Sequence, residues 1–132
     1  QLHGDEPVSD GAALAAAGLE VWKAIGLASA ADLDRLTAWP AAAHLLDAPT
    51  AARGGSGQVI DWGLAAQAVA AGHRIVLAGG LTPHNVATAI AAVKPFAVDV
   101  ASGVERAPGD KDPVKVFEFL DAAQRQISYL RR

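Results

Sequence analysis

Cysteine and methionine are both missing from this 132-residue chain. It therefore holds no disulfide, no thiolate metal site and no catalytic thiol. With no secretory feature either, a reducing cytoplasmic setting is the expectation. Aromatic residues make up only 5% of the chain, while 31 residues are alanine. A core of this composition rests on close approach of helices and strands more than on bulky side chains. No apolar run nears the ~20 residues a membrane helix needs. Cationic residues are scarce as well: 11 Lys and Arg against 14 Asp and Glu leave a charge of −3. Nucleic acid and anionic membranes demand clustered Lys and Arg, so neither is an expected partner.

What is present is a folding composition, 52% hydrophobic, at a length that fits one domain or part of one. The start at Gln1 without an initiator Met suggests a fragment. Short apolar runs alternate with Ala-rich helical ones. Strand expectations fall on the stub Gln1 to Gly4, Leu19 to Ile25, His44 to Asp47, Arg74 to Ala78 and Phe96 to Ala101. Helices are expected from Ser9 to Ala17, about Ala30 to Ala38, after the capping Asp61 to Ala71, from Thr82-Pro83 to Val93, and from Asp112-Pro113 onward. Ala48 to Ile60 and Ser102 to Lys111 read as loops. Strand and helix alternate without a hairpin signal, which calls for crossovers and a parallel sheet. Five such units are too few for a complete barrel of at least ~200 residues. They make an open α/β domain or the later part of a barrel, and the chain start in mid-strand favours the second. With no linker or repeat, residues 1–132 read as a single unit.

In parallel α/β folds the working residues lie beyond the carboxyl ends of the strands. His3, Asp47, Gly79, Gly80, Asp99, Ser102 and Gly103 fall there. Gly79-Gly80 and Ser102-Gly103 follow consecutive strands. Such turns either permit a tight bend or present N–H groups to an anion such as phosphate, and their pairing favours the phosphate. Asp47, at the end of an apolar strand, is either a general acid with a raised pKa or a carboxylate that orders the next loop. Asp99 alternates with Val98 and Val100 and so faces away from them, toward sugar hydroxyls or toward Lys94 or Arg106. The loop from Arg53 to Gln58, with Gly55 in its middle, either closes over a substrate or merely links. It lacks the Lys-Ser or Lys-Thr of a nucleotide-binding P-loop. The four histidines show no metal-ligand spacing.

Taken together, QLHGDE, LLDAPTAARGGSGQVIDW, VLAGGLTPHNV and FAVDVASGVERAPGDKDPVKVFEF resemble phosphoribosylanthranilate isomerases, in order and spacing from Gln1 to about Ala123. The resemblance implies a partial TIM (β/α)8 barrel running from the end of strand four to strand eight, with the first three strands outside the chain. It also implies an Amadori rearrangement of N-(5′-phosphoribosyl)anthranilate in tryptophan biosynthesis. In that reaction an acid protonates the ribose ring oxygen, the ring opens to an iminium, and a base removes the C2′ proton. The nitrogen is the electron sink, so no metal or redox cofactor is implied. Asp47 matches the general acid. Gly80, Ser102 and Gly103, with Gly79 and Gly55 beside the substrate, match the phosphate-side positions, and Asp99 and His3 match pocket residues. The family's base is the Cys of a KxCG motif on its first strand, which nothing here matches, so the segment alone is expected to be inactive. Open barrel edges suggest self-association, and a parent protein fused to another tryptophan-pathway enzyme fits the same segment. The competing readings are another phosphate-binding barrel isomerase or synthase, and a non-catalytic half-barrel assembly module.

Overall fold

In the computed structural model, residues 1–48 and 60–130 are described. Four strands, β1 (Trp22–Gly26), β2 (Ala43–Asp47), β3 (Ile75–Leu77) and β4 (Ala97–Val98), form one parallel sheet in the order β1-β2-β3-β4. Leu2 adds a single parallel bridge to Lys23 beside β1. α1 (Val8–Ala16) precedes β1. α2 (Leu33–Ala38), α3 (Trp62–Ala70) and α4 (Val86–Val93) occupy the successive crossovers, and α5 (Pro113–Leu130) comes last. This is the α/β architecture with a parallel sheet that the alternating pattern predicts.

Local chemistry sets the helix starts. The Asp61 carboxylate accepts from the N–H groups of Gly63 and Leu64 at 2.8 and 3.2 Å. Asp112 does the same for Val114 and Lys115 at 2.9 and 3.4 Å, with Pro113 at the first helical position. Each thereby satisfies N–H groups that a helix leaves without an intrahelical acceptor.

The strand period of two divides the core. Ile25, Leu46, Ile75 and Leu77 face the helices and pack with Ala65, Ala68, Val86, Ala89, Ile90, Val93, Phe119 and Ala123. Burial of one such Leu or Ile contributes about 1.5–3 kcal/mol. Ala24, Ala43, Leu45, Val76 and Ala78 form a separate cluster of smaller side chains on the opposite face, with Trp22 and Ala97 against it.

Three local expectations need correction. α4 begins at Val86, not at Thr82: the Asn85 carboxamide accepts from the Thr82 N–H at 2.8 Å, so residues 82 to 85 form a turn ahead of the helix. β4 is confined to Ala97–Val98, because β3, its one partner among the described residues, ends at Leu77. Finally, residues 102 to 111 are not a plain loop. A 3-10 turn over Ser102–Val104 leads into a two-stranded antiparallel ribbon, β5 (Glu105–Ala107) with β6 (Asp110–Lys111).

Among the described residues no helix is long and apolar enough to cross a membrane.

Candidate functional site

Parallel register brings the strand ends to one rim. Gly26 lies opposite Asp47, and Leu46 opposite Leu77, whose partner is Val98. Asp47 shares the strand parity of Leu45, so its side chain leaves the rim on the face away from the helices. It is partly exposed, at 36%, and its Oδ1 accepts from the Ala48 N–H at 2.8 Å. The His3 Nε2 stands 3.9 Å from Asp47 Oδ2.

The Gly79-Gly80 turn abuts that carboxylate. Both residues have left-handed φ values, +77° and +70°. A Cβ on Gly79 would fall 2.6 Å from the Ala48 nitrogen and 3.1 Å from Asp47 Oδ1. The turn is tied to the residues ahead of α4 by Asn85, whose Nδ2 donates to the Gly80 carbonyl at 3.0 Å.

Gly103 meets the same turn from the other side. A Cβ there would lie 1.8 Å from the Leu81 carbonyl oxygen and 3.3 Å from the Thr82 Cα. The two Gly-bearing loops are thus in backbone contact, which only a residue without a side chain permits. The N–H groups of Ser102 and Gly103 open the 3-10 turn, where helical geometry supplies no acceptor for them. Lys111 braces this loop by donating to the Ala101 carbonyl at 2.8 Å and to Glu105 Oε1 at 2.7 Å. That hydrogen bond holds the Glu105 carboxyl below its ordinary value. Chemically, this part of the rim offers the Asp47 carboxylate, the His3 imidazole and N–H groups from two adjoining turns, which suits an anionic substrate bearing a basic oxygen.

Asp99 continues the same rim: its N–H donates to the Leu77 carbonyl at 2.8 Å and its side chain is exposed. Arg106, one of the two cations expected beside it, pairs with Asp110 at 3.1 Å instead. The Arg53 to Gln58 loop, including Gly55, lies outside the described residues. Among the described residues no cluster of three or more His, Cys, Asp or Glu side chains could hold a metal ion. The His73 ring packs edge-on against that of buried His44 at 5.6 Å. Burial lowers the pKa of His44, whose Nε2 bonds the Trp39 carbonyl oxygen at 2.8 Å.

Three supporting residues escape motif reasoning. Asn85 and Lys111 act through backbone carbonyls, and nothing in their spacing announces it. Lys23 carries a usable signal: a lysine inside the apolar run LEVWKAI. Its side chain is buried, and Nζ donates to the Gly4 carbonyl at 2.6 Å and to Glu6 Oε2 at 2.7 Å. The Lys23 hydrogen bond is the main reason the Glu6 carboxyl is lowered to about 2.

Comparison with known proteins agrees with the resemblance in the motifs. The family model for N-(5'phosphoribosyl)anthranilate (PRA) isomerase matches residues 1–122. The N-(5'-phosphoribosyl)anthranilate isomerase of Trichlorobacter lovleyi is 46% identical over 96% of this chain and 61% of its own length. That of Geobacter metallireducens is 47% identical over 94% of this chain and 60% of its own length. The chain thus spans about three-fifths of the length of these relatives. Among solved structures, the phosphoribosyl anthranilate isomerase of Thermotoga maritima superposes with a TM-score of 0.84 at 41% identity, covering 95% of this chain and 60% of that one. A phosphoribosyl anthranilate isomerase in complex with reduced 1-(o-carboxyphenylamino)-1-deoxyribulose 5-phosphate gives 0.79 at 37% identity, covering 95% and 58%. By sequence and by fold, this chain belongs to the N-(5'-phosphoribosyl)anthranilate isomerase family.

Proposed function

We propose that residues 1–132 are the part of a (βα)8 barrel from the end of strand four to strand eight, and that they supply the acid and the anion cradle of a phosphoribosylanthranilate isomerase. The observation that carries this reading is the unbroken contact from Asp47 through Gly79 to Leu81 and Gly103. An acid and two N–H-bearing turns on one rim match a substrate that is a phosphate ester at one end and a ring acetal at the other.

In this reading Asp47 donates its proton to the ribose ring oxygen as the ring opens to the iminium. His3, 3.9 Å away, and Asp99 border the sugar. The N–H groups of Gly80, Ser102 and Gly103 hold the phosphate, with Gly79 keeping the turn close to the acid and Gly55 on the neighbouring loop. The substrate nitrogen accepts the electrons, so the chemistry calls for no cofactor. Removal of the C2′ proton needs a base that the family draws from a KxCG motif, and this chain contains no cysteine. Acid and base must act in the same turnover, so this segment binds without turning over. The sheet edges left by an incomplete barrel favour pairing with another chain or with the rest of the barrel.

The test is direct. The purified 132-residue chain should bind inorganic phosphate weakly and convert phosphoribosylanthranilate negligibly. Adding a polypeptide that bears the KxCG strand should raise turnover. Turnover by the 132-residue chain alone at the level of an intact enzyme refutes the division of labour. Binding of neither phosphate nor the reduced product analogue refutes the cradle.

A further inference from the structure

The Lys23 network serves no step of the reaction proposed above, yet it ends one residue from His3. Lys23 is 4% exposed. A charged amine taken this far from water is retained only where it is paired and hydrogen-bonded. Its partners are the Gly4 carbonyl and Glu6 Oε2, and it lies 5.5 Å over the Trp39 ring. Glu6 in turn accepts the Gly4 N–H with both carboxylate oxygens, at 3.0 and 3.1 Å. Trp39 Nε1 donates to the Glu6 carbonyl at 3.3 Å, and Gly11 leaves the room its ring occupies. Both polar groups of Gly4 are therefore clamped. On the other side of His3, Leu2 is held by its exchange of hydrogen bonds with Trp22 and Ala24 at 2.9 and 2.8 Å.

We propose that Lys23 and Glu6 are positioning residues: by clamping the Gly4 peptide they fix the backbone that aims His3 at Asp47. The inference rests on the reading of the Asp47 rim as the substrate site and adds to it a residue pair that touches no substrate. Lys23 and Glu6 lie on the helix-facing side, so they act only through the chain segment between Leu2 and Glu6. Their influence reaches the rim only through His3, and no hydrogen bond links them to the turns at Gly80 and Gly103 among the described residues.

The test compares two ligands on the 132-residue chain and its Lys23→Met, Lys23→Arg and Glu6→Gln variants. The ligands are inorganic phosphate and reduced 1-(o-carboxyphenylamino)-1-deoxyribulose 5-phosphate. Amide hydrogen exchange at Gly4 reports the clamp itself. In Lys23→Met, Gly4 exchange should speed up while amides of β2 and β3 stay protected. Affinity for the analogue should fall about tenfold or more, with phosphate affinity unchanged. Lys23→Arg, which keeps a cation in reach of both acceptors, should recover most of the loss, and Glu6→Gln should weaken the analogue less than Lys23→Met does. Equal losses for both ligands, or unchanged Gly4 exchange and analogue affinity, overturn the proposal. If Lys23→Met fails to fold, the Glu6→Gln split between the two ligands decides. A parent chain that binds neither ligand overturns the functional reading and the positioning role together, whereas a parent that binds both, with variants that bind equally, overturns the positioning role alone.

Discussion

Substituting Gly103 by alanine tests whether the two Gly-bearing loops form one cradle. The new Cβ would lie 1.8 Å from the Leu81 carbonyl oxygen and 2.9 Å from its carbonyl carbon. Carbon and carbonyl oxygen rest no closer than roughly 3.3 Å, so the loops must separate by roughly 1.5 Å. Neither side yields easily. The obstacle is backbone, and the Leu81 side chain is 2% exposed within the main core. Overpacking of this kind typically costs 1–3 kcal/mol, and the severity here points to about 3 kcal/mol. Gly72→Ala is the control. Its φ is +91° with nothing within 4 Å of the added Cβ, so it carries only the left-handed backbone cost of about 1–2 kcal/mol. Urea denaturation followed by circular dichroism gives both numbers, and calorimetry with inorganic phosphate gives the binding change. Gly103→Ala should be the more damaging of the two and should abolish phosphate binding, while Gly72→Ala leaves binding intact. A Gly103→Ala protein as stable as Gly72→Ala, with unchanged phosphate affinity, would falsify the contact between the loops.

Two further outcomes follow from the same geometry. Asp47→Asn keeps an oxygen for the Ala48 N–H but removes the transferable proton. In an enzyme assembled with the KxCG strand, turnover should drop about 10²–10⁴-fold, with a stability change within about 0.5 kcal/mol; full turnover would remove Asp47 from the acid role. Acid stability should show two distinct steps. His44 has its pKa lowered by burial, so the unfolded chain takes that proton first, and stability is lost as pH falls below 6.5. Glu6 is held at about 2 rather than 4.5, chiefly by Lys23, so its contribution is complete above 4.5 and is lost as pH falls from there toward about 2. Urea midpoints measured against pH should lose the upper step in His44→Gln. In Glu6→Gln they should lose part of the lower one, the remainder belonging to Asp32 and Glu105, whose carboxyls are also lowered. Parent-like pH profiles in both variants would contradict these assignments.

Much of the fold is legible locally because its signals are local. Asp61 and Asp112 cap helices within three residues of themselves, and the alternation around Leu45 and Leu46 gives both faces of β2. The failures are places where a neighbour decides. FAVDVA has strand alternation throughout, yet β4 pairs only as far as Val98 because β3 runs out, and Val100 packs on the core without a partner strand. Gly109 to Pro113 reads as a turn into a capped helix with no hairpin signal, yet a hairpin forms there; the Arg106 to Asp110 ion pair and the Lys111 to Glu105 bond go with it. The candidate rim was legible as separate turns. That Gly103 rests on Leu81, or that Lys23 reaches Gly4 across 19 residues, depends on approaches in space that no short-range pattern encodes.

The arrangement also separates folding from chemistry along each strand. Successive side chains alternate between the helix-facing core and the opposite face. In β2 the helix-facing positions His44 and Leu46 are 4% and 0% exposed, whereas Leu45 and Asp47 point the other way. Most of the large buried residues lie on the first face, whereas the second, apart from Leu45, is lined by the smaller Ala24, Ala43, Val76 and Ala78. Small side chains there leave the rim open above them, so a carboxylate and two turns converge without displacing the core. Side chains at this candidate rim are therefore free to change at little expense in stability. The glycines are the exception: Gly79 and Gly103 are candidate site residues whose missing side chains are also packing, so substitution there strains the fold as well as the proposed cradle, where substitution of Asp47 does not.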